Sequence, residues 1–389
     1  MPGNTSQDNS LPKRIGTAAF AFRGYNVTNL GRTPELLAHP AYGPIVERSL
    51  NDASEICSSA ARRRVNLVRR VTRRAPSTMK TYAQDLAMIV SVELAQLQLL
   101  AEFFEVSFDD AQLAFGYSLG EISALIAAGV FEMEALLTPL LTLSKDSVKL
   151  AADVRIGVLF SRGPALDVDA VQRLCLQVTN QGHGVVAIST FLSPNTVLLM
   201  GQGNTVDLFK DTMHEVLPEL AHLRKNRHSW PPLHTPIVRQ RNIPNRAGVM
   251  LDTAPGGFKA PSIPILSCVT GDAGYNDFNS REILYRWMDH PQRVWDVVDQ
   301  TLADGVETII HVGPEPNIIP ATFTRLSNNV AAQLSGRSLT SLGLRAVSRL
   351  VQRRRPWLTN LISSDATLFR APFVEHIQLE DWLLEQDIT

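Results

Sequence analysis

Apolar and polar positions along this chain follow two rhythms. Gly16 to Phe22 reads G-T-A-A-F-A-F and Asp110 to Phe115 reads D-A-Q-L-A-F. Short, mostly apolar runs of this kind are what parallel strands buried on both faces require. Between and after them the period lengthens to that of helices, at about 43 to 57, at about 80 to 104, and from about Glu132 to Ala152. Strands alternating with helices predict a mainly parallel sheet covered on both faces, an α/β fold.

From Ile156 to about Arg227 the pattern changes. I-G-V-L-F-S-R-G is followed by a helix from Asp167 to Val178, a pair of strands at 184 to 200 around Ser193-Pro194-Asn195, and a helix from Val206 to Val216. This β-α-β-β-α order predicts a small ferredoxin-like (α+β) subdomain inserted into the larger sheet. The main pattern resumes at Ile263 to Cys268, with helices at Ser280 to Trp287 and Gln292 to Leu302 and a strand at Thr308 to Val312. The expected organisation is a disordered leader at 1–14, a core built from 15–155 and 229–325, the subdomain at 156–228, and a C-terminal extension at 326–389. In that extension Ile377, Leu379, Trp382, Leu383 and Leu384 imply packing against the body or a partner, with mixed periodicity.

One stretch carries most of the chemical information. Phe115 to Val130 reads F-G-Y-S-L-G-E-I-S-A-L-I-A-A-G-V, which centres Ser118 in a GxSxG turn between a strand and a helix. Ile122, Leu125 and Ile126 fall on one helical face, and Gly129 stands where a C-terminal cap belongs. Such a turn pushes the serine hydroxyl out of the backbone, and the helix N-terminus turns N–H groups toward any oxyanion that forms. The expected role is nucleophile; the bland alternative is a Gly-Ser turn in an ordinary α/β protein.

Composition narrows the classes. The 389 residues are 44% hydrophobic and 19% charged with a formal net charge of -1, so no global bias toward nucleic acid or anionic membranes exists. Charge is uneven locally: Arg62, Arg63, Arg64, Arg69, Arg70, Arg73 and Arg74 crowd one segment, and Arg345, Arg349, Arg353, Arg354 and Arg355 another. The first cluster suits a phosphate-bearing ligand or an acidic partner, or is a solvated helix face. Cys57, Cys175 and Cys268 match no metal or disulfide spacing, which fits a reducing cytoplasm and no metal site. The apolar run from Leu86 to Phe104 is interrupted by Glu93, Gln96 and Gln98, as in a buried helix and not a membrane span.

A serine nucleophile needs a base, usually histidine. Among nine histidines, His234 is the strongest candidate, because Pro231-Pro232-Leu233-His234-Thr235-Pro236 holds it in a stiff loop where the subdomain returns to the main sheet. His222 and His228 lie in a polar stretch, and His311 reads equally well as a satisfied strand residue.

The run from Gly116 to Glu121, the following Ala124 to Val130, the loop ending at His234, and His311-Val312-Gly313-Pro314 together resemble malonyl-CoA:acyl-carrier-protein transacylases and polyketide-synthase acyltransferase domains over about 15 to 325. The resemblance implies an α/β-hydrolase-like core with a ferredoxin-like insert. It further implies ping-pong acyl transfer, with Ser118 as nucleophile and His234 as base. Acyl-CoA would be the donor, and the phosphopantetheine of an acyl carrier protein the acceptor, in polyketide or fatty-acid-type biosynthesis, with no bound cofactor. Leu119 and the loop near Tyr25 would supply oxyanion N–H groups, and near Trp287 only the backbone serves to orient the base. The C-terminal extension is a candidate surface for a synthase partner.

The departures bear on the acyl group. Tyr25-Asn26-Val27 replaces the family's usual first loop, Tyr117 stands where histidine precedes the nucleophile, and Leu143-Ser144-Lys145 occupies the place of the arginine that clamps a malonyl carboxylate. Tyr117, Leu143, Ser144, Lys145 and Leu233 are therefore the expected substrate contacts, with Lys145 a point-charge substitute or Leu143 and Ser144 part of an apolar pocket. Two rival readings stay open: an editing thioester hydrolase acting on acyl-carrier protein or acyl-CoA, and a non-catalytic subunit that docks carrier proteins.

Overall fold

Strand β1 (Ala18–Phe22) is buried along its whole length and lies at the centre of a five-stranded sheet in the computed structural model, which describes residues 11–335 and 366–388. The order is β7 (Ile265–Leu266), β2 (Leu113–Gly116), β1, β8 (Thr308–Val312) and β9 (Glu375–Gln378), and every pair is parallel. Successive residues of a strand point to opposite faces. Phe20 and Phe22 accordingly join one core while Ala19 and Ala21 join a second, which explains why the run carries no polar position.

Within the span expected as leader, Leu11–Arg14 (α1) is helical and Leu11 is buried. The first core is covered by α2 (Thr33–Ala38), α3 (Gly43–Ala61), α4 (Leu67–Thr72), α5 (Tyr82–Phe104), α6 (Leu119–Ala127) and α7 (Met133–Ala151). Helix α5 with its preceding turn is long and apolar enough to cross a membrane, yet most of it is buried inside the fold. Its polar interruptions have internal partners: Glu93 receives the Ser123 hydroxyl and the Arg23 N–H, and Gln96 receives the Gly313 N–H at 2.7 Å.

The smaller unit is a four-stranded antiparallel sheet ordered β4 (Val186–Ser193), β5 (Thr196–Gln202), β3 (Val154–Ser161), β6 (Ala221–Lys225). Helices α8 (Val168–Asn180) and α9 (Thr205–Thr212) cover one face of it. The chain returns through α10 (Ile243–Thr253), β7 and α11 (Ser280–Trp287) to α12 (Val294–Ala303) and α13 (Ile318–Ser335), which close the second face of the main sheet. The result is an α/β-hydrolase-like core with a ferredoxin-like subdomain.

The end of the chain is part of that core. Strand β9 pairs along β8 from Thr308↔Glu375 to His311↔Gln378, so β8 is not an open edge. Helix α14 (Leu379–Glu385) follows, with Leu379 and Leu383 fully buried and Trp382 packed edge-on against Phe104. The mixed periodicity of this segment reflects a four-residue strand running directly into a helix. The second arginine cluster lies outside the described residues.

Two glycines set the distance between sheet and helix. A Cβ on Gly116 would sit 2.1 Å from the Gly120 carbonyl carbon, and one on Gly120 would sit 2.2 Å from the Phe22 oxygen. Backbone packs directly on backbone here, so Gly120→Ala is expected to lower the unfolding free energy by about 3 kcal/mol, at the upper end of overpacking costs. A urea denaturation midpoint unchanged from that of the natural chain would contradict this reading of the packing.

Candidate active site

Strand β2 ends at Gly116, paired with Phe22 at the end of β1, and the chain then turns sharply into α6. Ser118 sits in the turn with φ 55° and ψ −114°, a backbone region that side-chain-bearing residues rarely occupy. Hydrogen bonds close the turn on each side: Tyr117 N–H donates to the Phe22 oxygen at 3.1 Å, and Glu121 N–H to the Ser118 oxygen at 3.0 Å. Beneath the helix, the fully buried Glu121 accepts the hydroxyls of Ser267 and Tyr275, and burial pushes its pKa up to about 7.

His234 lies directly across from the turn. Its Nε2 is 2.6 Å from the Ser118 Oγ, although the two residues are 116 positions apart in sequence. Its Nδ1 is 2.8 Å from the Trp287 carbonyl oxygen. A carbonyl only accepts, so the proton resides on Nδ1 and the bare Nε2 accepts from the serine hydroxyl. His234 also has a positive φ of 65°, its N–H donates to the Met288 oxygen at 2.9 Å, and its ring meets the Trp287 indole edge-on at 4.7 Å. Burial lowers its pKa to about 4, against an opposing contribution from the Trp287 carbonyl. The imidazole is therefore neutral and able to accept a proton throughout the neutral range.

Sequence reasoning missed most of what fixes this pair. The Trp287 indole N–H donates to the Ser118 oxygen at 3.1 Å, and the Gln292 side-chain oxygen accepts the Ser118 N–H at 3.1 Å. Both peptide groups of the strained serine are thus held by side chains from one short segment. The backbone of Gln292 also bonds to β4, donating to Ser189 at 2.8 Å and accepting from Phe191 at 2.8 Å. No spacing signal marks Gln292; only the position of Pro291 before a helix sets it apart.

A second buried network holds the loop beside the serine. Arg23, fully buried, donates to the Gly24 oxygen at 2.8 Å, to the Asn29 side-chain oxygen at 2.8 Å, and to the Pro314 carbonyl. Its own N–H reaches Glu93 at 2.9 Å. Burial lowers the Arg23 pKa to about 10 and raises that of Glu93 to about 8, each opposed by the other's charge. A Cβ on Gly24 would lie 3.5 Å from the Ser118 Cβ and 2.7 Å from the Tyr117 oxygen, so the loop passes against the turn itself. Tyr25 packs edge-on against Tyr82 and Trp230.

No protein-family model matches the chain. It is 23% identical over 246 residues to a malonyl CoA-acyl carrier protein transacylase of Bacillus subtilis, covering 60% of this chain and 71% of that one. It is also 23% identical over 356 residues to the spectinabilin polyketide synthase protein NorB of Streptomyces orinoci, covering 88% of this chain and 15% of that one. Among solved structures, the malonyl-CoA:acyl carrier protein transacylase FabD of Xanthomonas oryzae superposes with a TM-score of 0.64 at 20% identity, over 79% of this chain and 90% of that one. A malonyl-transacylase solved with a type II polyketide acyl-carrier protein gives 0.59 at 21% identity, over 78% and 91%. The chain is thus similar to malonyl transacylases and a polyketide synthase protein, and it shares the fold of the solved transacylases.

The expected substrate contacts fall in different places. Leu136, Pro139 and Leu140 of α7 line a small apolar cleft with Trp287 and Met288, and Leu143, buried, continues the same stripe. Ser144 and Lys145 turn the other way, into a cavity of about 300 Å³ between α3, α5 and α7 that also contains Cys57, Arg63 and Tyr82. The Ser144 hydroxyl is bound to the Leu141 oxygen at 2.6 Å. Ser144 and Lys145 thus line a cavity separate from the cleft at Trp287, whereas Leu143 lies one helical turn beyond Leu140 of that cleft. Tyr117 is part-buried with its hydroxyl 3.2 Å from that of Thr190, and Leu233 packs on the main core beside His234.

The other flagged groups have local explanations. His311 is buried 2.9 Å from His376 and is far from serving Ser118 as a base, because it lies on the face of β8 shared with the second core. In the first arginine cluster, Arg70 is buried against Asp85 at 2.6 Å, while Arg62, Arg63, Arg64, Arg69, Arg73 and Arg74 are exposed. Among the described residues no group of three or more His, Cys, Asp or Glu is arranged to hold a metal.

The low His234 pKa carries a sign. Below the ordinary value near 6.5 the unfolded chain takes up a proton that the folded chain refuses until about 4, so this residue removes stability as pH falls through that window. An NMR titration of the His234 ring should show its inflection near about 4; an inflection near 6.5 would contradict the buried neutral imidazole.

Proposed function

We propose that the chain transfers an acyl group from acyl-CoA to the phosphopantetheine thiol of an acyl carrier protein through an acyl-Ser118 intermediate. The observation that carries this reading is the 2.6 Å contact between the Ser118 Oγ and a His234 whose other nitrogen is fixed on the Trp287 carbonyl. His234 takes the hydroxyl proton as Oγ attacks the thioester carbon. The tetrahedral oxyanion is met by the Leu119 N–H at the start of α6 and by an N–H from the loop at Tyr25. Collapse expels the CoA thiolate, which takes the proton from His234. The base then removes the proton of the carrier thiol, whose sulfur attacks the acyl-serine, and the serine oxygen is released and reprotonated.

Electrostatics support a phosphate-bearing or acidic partner. A cavity of about 930 Å³ between the small sheet and α12–α13 is lined by Arg162, Arg224, Lys225, Arg227, His228 and Arg325. It suits the CoA phosphates or an acidic carrier surface. The similar transacylase solved with a carrier protein supports that choice of acceptor. Three buried, unpaired cysteines suit a reducing, cytoplasmic setting.

The acyl group is uncharged on this reading. Leu143 occupies the stripe from which an arginine would reach a malonyl carboxylate, and each hydrogen bond to a charged group contributes ~1.5–3 kcal/mol. An apolar replacement leaves a free carboxylate unpaired and favours an alkyl chain.

Incubation with a panel of acyl-CoAs followed by intact-mass measurement tests these statements. Uncharged acyl groups should add covalently to the natural chain and not to Ser118→Ala, and His234→Ala should slow addition about a thousandfold. No serine-dependent adduct would leave the docking-subunit reading standing. The acyl-enzyme should discharge faster to a holo-carrier thiol than to water; the reverse order identifies a hydrolase. Leu143→Arg should gain a malonyl adduct, and a natural chain that already prefers malonyl would refute the acyl-group assignment.

A further inference from the structure

We propose that Glu380, on the C-terminal helix α14, is a positioning residue for the acyl-transfer site, acting as a latch on the two loops that fix the chain beside Ser118. This rests on the reading of Ser118 as nucleophile.

The latch is built from backbone donors. One carboxylate oxygen of Glu380 accepts the Arg32 N–H at 2.8 Å, and the other accepts the Glu315 N–H at 2.9 Å. The side chain is 1% exposed and touches the main chain so closely that a Cβ on Gly31 would lie 2.5 Å from it. Gly31 has φ +46°, which glycine adopts without strain. Arg32 ends the loop that follows β1, and Glu315 lies in the loop that follows β8.

Those loops meet at Arg23. Its guanidinium bonds to Asn29 in the first and to Pro314 in the second, and to the Gly24 oxygen beside them. Asn29 accepts the Asn26 N–H at 2.9 Å, and Asn26 reaches the Pro316 oxygen at 3.3 Å. Gly24 in turn lies against Tyr117 and Ser118. The path from Glu380 to the nucleophile is thus a carboxylate, two peptide N–H groups, one buried guanidinium and a glycine.

Burial raises the Glu380 pKa to about 7, and the N–H groups of Glu315 and Arg32 oppose that rise. Its neighbour Asp381 pairs with the Arg32 guanidinium at 2.9 Å on the exposed side, which supplies a control on the same helix.

The test uses the full chain and a fluorophosphonate probe that labels nucleophilic serines, with Ser118→Ala as the blank. Glu380→Ala should slow labelling about 10- to 100-fold at saturating probe, the range expected when a catalytic group is misplaced. The concentration for half-maximal rate should be nearly unchanged, and hydrogen exchange at the Arg32 and Glu315 amides should quicken. Glu380→Gln should fall between, since its amide oxygen keeps one of the two N–H groups; if Glu380→Ala does not fold, Glu380→Gln carries the test. Asp381→Asn should label at the natural rate. Unchanged labelling and exchange in a folded Glu380 variant overturns the latch alone. Failure of the natural chain to label at Ser118, with exchange quickened in the variant, overturns the nucleophile reading and the positioning role with it.

Discussion

The short stretch from Trp287 to Gln292 is the constraint on which the site depends. A serine at φ 55° is costly by about 1–3 kcal/mol and persists only where its surroundings over-determine it. Here the surroundings are the Trp287 indole on one peptide and the Gln292 amide on the other. The same stretch supplies the carbonyls that orient the His234 ring and its backbone. Ser118 and His234 come from distant parts of the chain, yet both are referenced to one rigid corner, so their separation is set once.

Buried polar groups in the core have the same character. Glu93, Gln96, Arg23 and Glu121 are fully buried, and each bonds to backbone or hydroxyl groups near the strand ends. Burying such groups is unfavourable unless their hydrogen bonds are made. Once made, these bonds hold loops in place that hydrophobic packing alone leaves free to slide.

Much of this was legible in the sequence, and the failures have a common cause. Strands read from short apolar runs fell within a few residues of their observed bounds, because β1 and β2 are buried on both faces and tolerate nothing polar. The turn at Ser118 and its link to His234 were legible because glycines and prolines act locally on the backbone. Gln292, Arg23 and Glu380 were not, since each acts through partners far along the chain: Glu380 bonds to residues 348 and 65 positions away. Ser144 and Lys145 were grouped with Leu143 by adjacency in sequence, but neighbours on a helix diverge by about 100°. Strand β9 was hidden because a strand of four residues offers too little alternation to register.

The contact of Gly120 with the Phe22 carbonyl has an evolutionary corollary. Where two peptides touch without intervening side chains, the spacing between a helix and its sheet is fixed by bond geometry and not by what fills the interior. Leucines and valines elsewhere are then free to be exchanged and repacked without tilting the helix that begins at Ser118. Identity of 23% over 246 residues aligned with a bacterial transacylase is compatible with exchange of much of the interior in this way while the corner around Ser118 keeps its shape.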